Sequence, residues 1–203
     1  MQKIIRCALL LAVVGCVIYT AGLVSDRKQL EEELVRLHVV AQSDSQQDQQ
    51  IKLEVRDAVL STLEAGMAQL TNIDQAKEYI RSQIPAIEQA ANETLRRLGV
   101  QQKAVVTFIK EKFPVRDYET FSLPSGVYES LRVTIGSGEG KNWWCVVFPK
   151  LCRNATSSAV ADTAAGAGFS NTLTDTITQK EGYRIRFYLL DVLGKLENLF
   201  YKN

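Results

Sequence analysis

Histidine is nearly missing from this chain: His38 is the only one in 203 residues. Any chemistry that needs two imidazoles is therefore excluded. An excess of charge is missing too. The 24 basic residues are balanced by 23 acidic ones, for a formal net charge of +1, which gives no general electrostatic grip on nucleic acid or anionic lipid. Two ligand-loop patterns also fail. Gly136-Ser137-Gly138-Glu139-Gly140 has the glycine content of a phosphate loop, but no Lys-Ser/Thr pair follows at the required spacing. Asp44, Asp48 and Asp57 lack the alternate-residue ladder and the loop glycine of an EF-hand. No internal repeat is visible. What the chain does have is the balance of a globular protein, 46% apolar and 23% charged residues, enough to exclude wholesale disorder and to make one domain with an appendage.

The appendage is at the N-terminus. Lys3 and Arg6 precede a run of 18 residues, 7–24, without a charge, and Asp26, Arg27 and Lys28 stop it. As a helix such a run rises about 27 Å, close to the hydrocarbon thickness of a bilayer. A core helix would be odd here, with a basic flank and no polar face. Residues 1–24 are read as a signal peptide or membrane anchor. Thr20-Ala21-Gly22 would serve as a cleavage site. Val13-Val14-Gly15-Cys16 resembles a lipoprotein box, but Val17-Ile18-Tyr19 continues apolar where a lipoprotein turns polar. Cys7 and Cys16 are then small apolar residues within the membrane. Residues 26–203 form the exported domain, and without Lys3 and Arg6 they carry 22 basic and 23 acidic residues.

The exported part reads as α+β. Residues 34–41 are β-branched and mostly apolar, a strand. Ser45 with Asp48 suggests a capping box for a helix over 46–69, with Ile51, Val55 and Val59 on one stripe. Asn72 with Gln75 opens a second helix whose apolar residues, Ile73 to Leu98, recur at steps of three and four through Pro85 and end at Gly99. Strands are expected over 103–110, 127–135 and 143–148, the last two as an antiparallel hairpin across the glycine loop. Residues 153–180, rich in Ala, Ser and Thr, read as a mobile loop. Tyr183, Ile185 and Phe187 alternate with arginines as a short strand does, and a helix follows. The expected fold is two long helices and a C-terminal helix on a small, mainly antiparallel sheet.

Few residues offer chemistry. Cys145 and Cys152 flank Pro149, which lets the chain turn back. A disulfide fits an exported protein and would contribute about 2–3 kcal/mol in the chain-entropy model. Unpaired thiols are the other structural reading. A zinc site from Cys145, Cys152, His38 and a carboxylate lacks the usual cysteine spacing. A Cys145 nucleophile would need His38 to reach it from a distant strand. Trp143 and Trp144 must point to opposite faces of a strand, so one can enter a core while its neighbour is exposed or covered by a partner.

Several segments are familiar together. Leu37-His38-Val39-Val40-Ala41-Gln42-Ser43-Asp44-Ser45, Asp48-Gln49, Lys52-Leu53 and Val55-Arg56-Asp57-Ala58-Val59 are one block. Leu123-Pro124-Ser125-Gly126-Val127-Tyr128 is a second, and Gly138-Glu139-Gly140-Lys141-Asn142-Trp143-Trp144-Cys145-Val146-Val147-Phe148-Pro149, closed by Cys152, is a third. Their order and the apolar N-terminus resemble the stage II sporulation protein R family, with Gln42 in place of an asparagine. The resemblance implies a signalling protein of endospore-forming Firmicutes. It would be exported from the forespore into the space between forespore and mother-cell membranes. There it would activate a membrane-embedded aspartic protease that removes the pro-sequence of sigma-E. It implies no enzyme, no cofactor, no metal and no small-molecule substrate. Candidate partner-binding residues are Asn142, Trp143 and Trp144, where an exposed tryptophan would anchor an interface, then Gln42, Asp44 and Asp48. Envelope-binding module and thiol or cell-wall enzyme are the rival readings.

Overall fold

A run of six buried residues sets the architecture. Strand β1 (Val35–Val40) has no exposed residue, so it must be covered on both faces and paired on both edges. The computed structural model, which describes residues 1–67, 69–70, 72–149, 151 and 157–202, places β1 inside a four-stranded sheet. The other strands are β2 (Ala104–Phe113), β5 (Gly126–Ile135) and β6 (Asn142–Phe148), in the order β2-β5-β1-β6. β2–β5 and β1–β6 are antiparallel, and β1–β5 is parallel. A two-stranded ladder, β3 (Arg116–Asp117) with β4 (Ser122–Leu123), stands beside the sheet. The helices are α1 (Gln2–Glu33), α2 (Gln46–Met67), α3 (Ile73–Arg97), α4 (Ser157–Gly166), α5 (Asn171–Ile177) and α6 (Arg184–Phe200). The α+β class with a mainly antiparallel sheet is as the sequence indicates.

Alternation along the strands divides the molecule into two cores. Val35, Leu37 and Val39 of β1, with Leu131, Val133 and Ile135 of β5, face α2 and α3. These helices meet them with Val55, Val59, Ile80, Ile87, Ala91 and Leu95, all buried. Each large aliphatic side chain buried this way contributes about 1.5–3 kcal/mol relative to exposure. Both helix starts form as expected: the Ser45 hydroxyl accepts from Asp48 N at 3.1 Å, and Asn72 Oδ1 accepts from Asp74 N at 2.7 Å. α3 continues through Pro85 and ends at Gly99, whose φ is +74°. On the opposite face Phe113, Tyr128 and Val146 pack with Leu23 and Leu30 of α1, Val160 of α4, Leu173 and Ile177 of α5, and Leu190 of α6.

Three expectations are corrected. β5 and β6 are not a hairpin, because β1 lies between them. The connection over 136–141 has to cross one strand, about 10 Å at the spacing of adjacent strands, and a glycine-rich loop does this easily. Residues 153–180 are not a mobile loop over their described part. α4 and α5 are helices, and Val160, Ala164, Phe169, Leu173 and Ile177 are buried at helical spacing, with Ser170 accepting from Leu173 N at 3.1 Å as a cap. Small residues around a sparse apolar stripe let these helices pack closely; residues 153–156 lie outside the described residues. The strand expected around Tyr183–Phe187 is the first turn of α6, in which the arginine alternation has a helical use.

That use concerns α1. The apolar stretch is exposed from Ile4 to Ile18 and makes α1 long and apolar enough to cross a membrane. The helix does not stop at residue 24, however. It runs on to Glu33, and Leu23, Asp26 and Leu30 are buried in the domain. Asp26 accepts from Arg186 Nε and Nη2 at 2.9 and 2.7 Å. Arg27 donates to the carbonyls of Ser125 and Leu190, each at 3.3 Å, and pairs with Glu31 and Glu197. Gly194 lets α6 rest on the Ser125 backbone, where a Cβ would collide. The apolar N-terminal segment thus continues without a break into the part of α1 that packs on the domain, where α6 clamps it.

Candidate functional site

The two segments singled out in the sequence meet in space. Gln42 Oε1 accepts from Ser137 N at 2.6 Å, and the Ser137 hydroxyl donates to the Gln42 carbonyl at 3.3 Å. Asp44 Oδ1 accepts from Lys141 N at 2.6 Å, and Gly140 N donates to the Ala41 carbonyl at 2.9 Å. Gly140 is required there, since a Cβ would strike the Ser43 carbonyl. Lys52 closes the joint from below. It is buried, and its Nζ donates to the Lys141 carbonyl at 3.0 Å and to Gln49 Oε1 at 2.6 Å. Burial holds its pKa below the usual ammonium value, and Asp44 opposes part of that shift. Asp48 is occupied at the start of α2, where its carboxylate accepts from Ser43 Oγ. Gln42 and Asp44 therefore fix one loop against the other, while Asp48 is held within its own segment by Ser43.

Asn142 opens β6 and is exposed, opposite Val40. Trp143 and Trp144 do point to opposite faces, but neither stands free in solvent. Trp143 packs at the edge of the α2–α3 core, with the Arg56 guanidinium 4.4 Å from its ring centre. Trp144 lies on the other face. Its ring is stacked on His38 at 3.8 Å, contacts Phe113 edge-on at 4.7 Å and lies under Arg116 at 5.2 Å. Between β6 and the β3–β4 hairpin is a groove of about 380 Å³, lined by Arg116, Tyr118, Phe121, Asn142, Trp143 and Trp144, among others. Tyr118 and Phe121 stack at 4.5 Å to form its wall.

The sheet separates the two residues of the rival thiol-enzyme reading. Cys145 faces the α2–α3 core, whereas His38 contacts Phe113 and Trp144 on the far face. A Cys145–His38 dyad is therefore ruled out by strand parity. Cys145 is disulfide-bonded, and Cys7 and Cys16 are free. Cys152, the expected partner, lies outside the described residues. Among the described residues no cluster of His, Cys, Asp and Glu could hold a metal ion.

Sequence reasoning missed a buried polar row on the far face. His38 Nδ1 lies 3.0 and 3.1 Å from the Glu111 carboxylate oxygens, and Arg132 Nη1 donates to Glu111 at 3.2 Å. Burial pushes the Glu111 carboxyl up, but the hydrogen bond and charge of His38 outweigh it, helped by Arg132, and the net shift is downward. Arg36 is fully buried. Its guanidinium lies 4.0 Å from the Phe113 ring and 5.0 Å from that of Tyr128, and Nη2 donates to the Tyr118 hydroxyl at 2.9 Å. The signal was available: Arg36 and His38 share one parity in a strand whose other parity is Val35, Leu37 and Val39.

The stage II sporulation protein R family matches residues 31–158 of the chain, a stretch containing both loops, β1, β6 and the groove. Stage II sporulation protein R of Bacillus subtilis (strain 168) is 42% identical over 123 residues, which are 61% of this chain and 55% of that relative. The match thus spans little more than half of the relative's length. No solved structure matches. The chain belongs to the stage II sporulation protein R family.

Proposed function

We propose that this protein is an exported sporulation signal that activates a membrane-embedded aspartic protease, which then processes pro-sigma-E in the mother cell. The observation that carries the reading is the family match over residues 31–158. The apolar, positively flanked start of α1 supports it, being suited to export into the space between forespore and mother-cell membranes. So does the occupation of the reactive side chains. His38 is committed to Glu111 and Trp144, and Cys145 to a disulfide, which speaks against the thiol-enzyme reading and supports that of a signalling ligand. Co-expression of this chain with the protease and pro-sigma-E in a non-sporulating host tests the proposal through the appearance of processed sigma-E.

A second reading has its own support. Because α1 enters the domain without a break and is gripped by Arg186, the protein could serve as an anchored envelope module. Deletion of the gene separates the two. An envelope module leaves sigma-E processing intact, and an activator does not.

A further inference from the structure

α1 is a ruler for where a bilayer would end. A hydrocarbon layer of about 30 Å takes about 20 helical residues. Counted from Cys7, where the uncharged run begins, the far boundary falls at about Val24 to Asp26. The helix is unbroken through this point, and Leu23 and Asp26 are already buried in the domain. The boundary is therefore fixed relative to the domain as well as to the helix.

α6 starts at that level. The Arg186 guanidinium donates to Asp26 at 2.7 Å and stands 5.5 Å from the Tyr19 ring centre, and its Nη2 would lie 3.4 Å from a Cβ on Gly22. Further along both helices Arg27 reaches the Leu190 carbonyl and pairs with Glu197. Residues 22 and 26 thus meet residue 186, and residue 27 meets 190 and 197, so the two helices run in the same sense. The N-terminal end of α6 points back toward the apolar half of α1. Helical side chains lean toward the helix N-terminus, so those of the first turns of α6 lean toward the boundary.

The residues found there suit it. Ile185 is 73% exposed and Tyr188 64% exposed, and Arg184 is exposed beside them. In water the first two leave apolar surface uncovered. At the edge of a bilayer an isoleucine enters hydrocarbon, a tyrosine keeps its hydroxyl among the headgroups, and an arginine reaches phosphate. Leu199 and Phe200 are exposed too, but the rise of α6 carries them about 20 Å past Arg186, clear of the boundary.

We infer that the first two turns of α6 are a second membrane contact, with Ile185 and Tyr188 seated in the interface of the phospholipid bilayer that α1 crosses and Arg184 against a headgroup phosphate. This contact goes beyond the signalling role and would serve an anchored module equally. It depends on α1 crossing the bilayer. A single helix leaves the domain free to swivel about its axis, and a second contact removes that freedom.

Methyl NMR of the full chain in phosphatidylcholine–phosphatidylglycerol nanodiscs, with and without a paramagnetic doxyl lipid, tests this on the unaltered protein. The Ile185 methyl loses intensity in the doxyl lipid, as Ile18 within the apolar run does, and the Leu199 methyls keep theirs. An unchanged Ile185 beside a quenched Ile18 overturns the second contact and leaves the anchor standing. Equal loss at Ile185 and Leu199 also overturns it, since α6 would then lie along the lipid instead of meeting it at one end. Intensity kept at both Ile18 and Ile185 overturns the membrane-crossing reading and the second contact together.

Discussion

His38 and Trp144 stack face to face, ring centres 3.8 Å apart and planes inclined by 17°. They sit opposite each other on β1 and β6, in two of the family's signature segments. The stack ties the sole histidine to the tryptophan lining the groove, and behind it Glu111 holds His38 while Phe113 supports Trp144.

The two tryptophans therefore differ in what they support. Trp144→Ala removes contacts to His38, Phe113 and Arg116 and is expected to cost about 3–5 kcal/mol. Trp143→Ala loses the Arg56 contact and one side of the α2–α3 core, a smaller effect. Thermal melts of the two variants check the order, and a Trp144→Ala protein as stable as the parent would contradict the packing described.

Glu111 gives a pH dependence with a definite sign. Its folded-state pKa lies below the ordinary value of 4.5, so its contribution is present above that value and is lost as pH falls through the folded pKa. The urea midpoint of the parent should exceed that of Glu111→Gln at neutral pH, and the gap should close in acid below about 4.5. A gap independent of pH would remove this assignment.

Glu31 acts in the opposite direction. Burial is the main cause that raises its pKa to about 7, against Arg27 and with help from Glu197. A carboxyl with a raised folded pKa favours the native state most when protonated, so stability falls as pH rises from about 4.5 to about 7. Glu31→Gln should flatten that fall. Stability curves for both proteins across this window give the comparison, and parallel curves would sink the claim.

α5 supplies a third core test. Leu173 is fully buried against the far face of the sheet. Leu173→Ala should cost about 2–5 kcal/mol, as measured by chemical denaturation. A loss below about 0.5 kcal/mol, usual for an exposed site, would return this region to the status of a loop.

Much of the fold is legible in residue order, because α2 and α3 carry caps and a 3.6-residue apolar stripe that agree with each other. The strands are legible by composition, but their neighbours are not. Insertion of β1 between β5 and β6 is a long-range event that residue order does not signal. α4 and α5 escaped because packing of Ala, Ser and Thr depends on close approach, which composition does not reveal. At the site, the pairing of Gln42 and Asp44 with the loop at Ser137 and Lys141 joins segments nearly a hundred residues apart, and only motif resemblance pointed to both. Arg36 and His38 were hidden in a strand that reads as apolar, although their shared parity marks the polar face.

The most direct test is reconstitution. This chain, the membrane-embedded protease and pro-sigma-E are expressed together in a host that does not sporulate, and sigma-E is examined for loss of its pro-sequence. The account predicts processing when the full chain is exported, and none when residues 1–24 are deleted and the domain stays where it is made. No processing with the exported full chain, or equal processing without the chain, would contradict it.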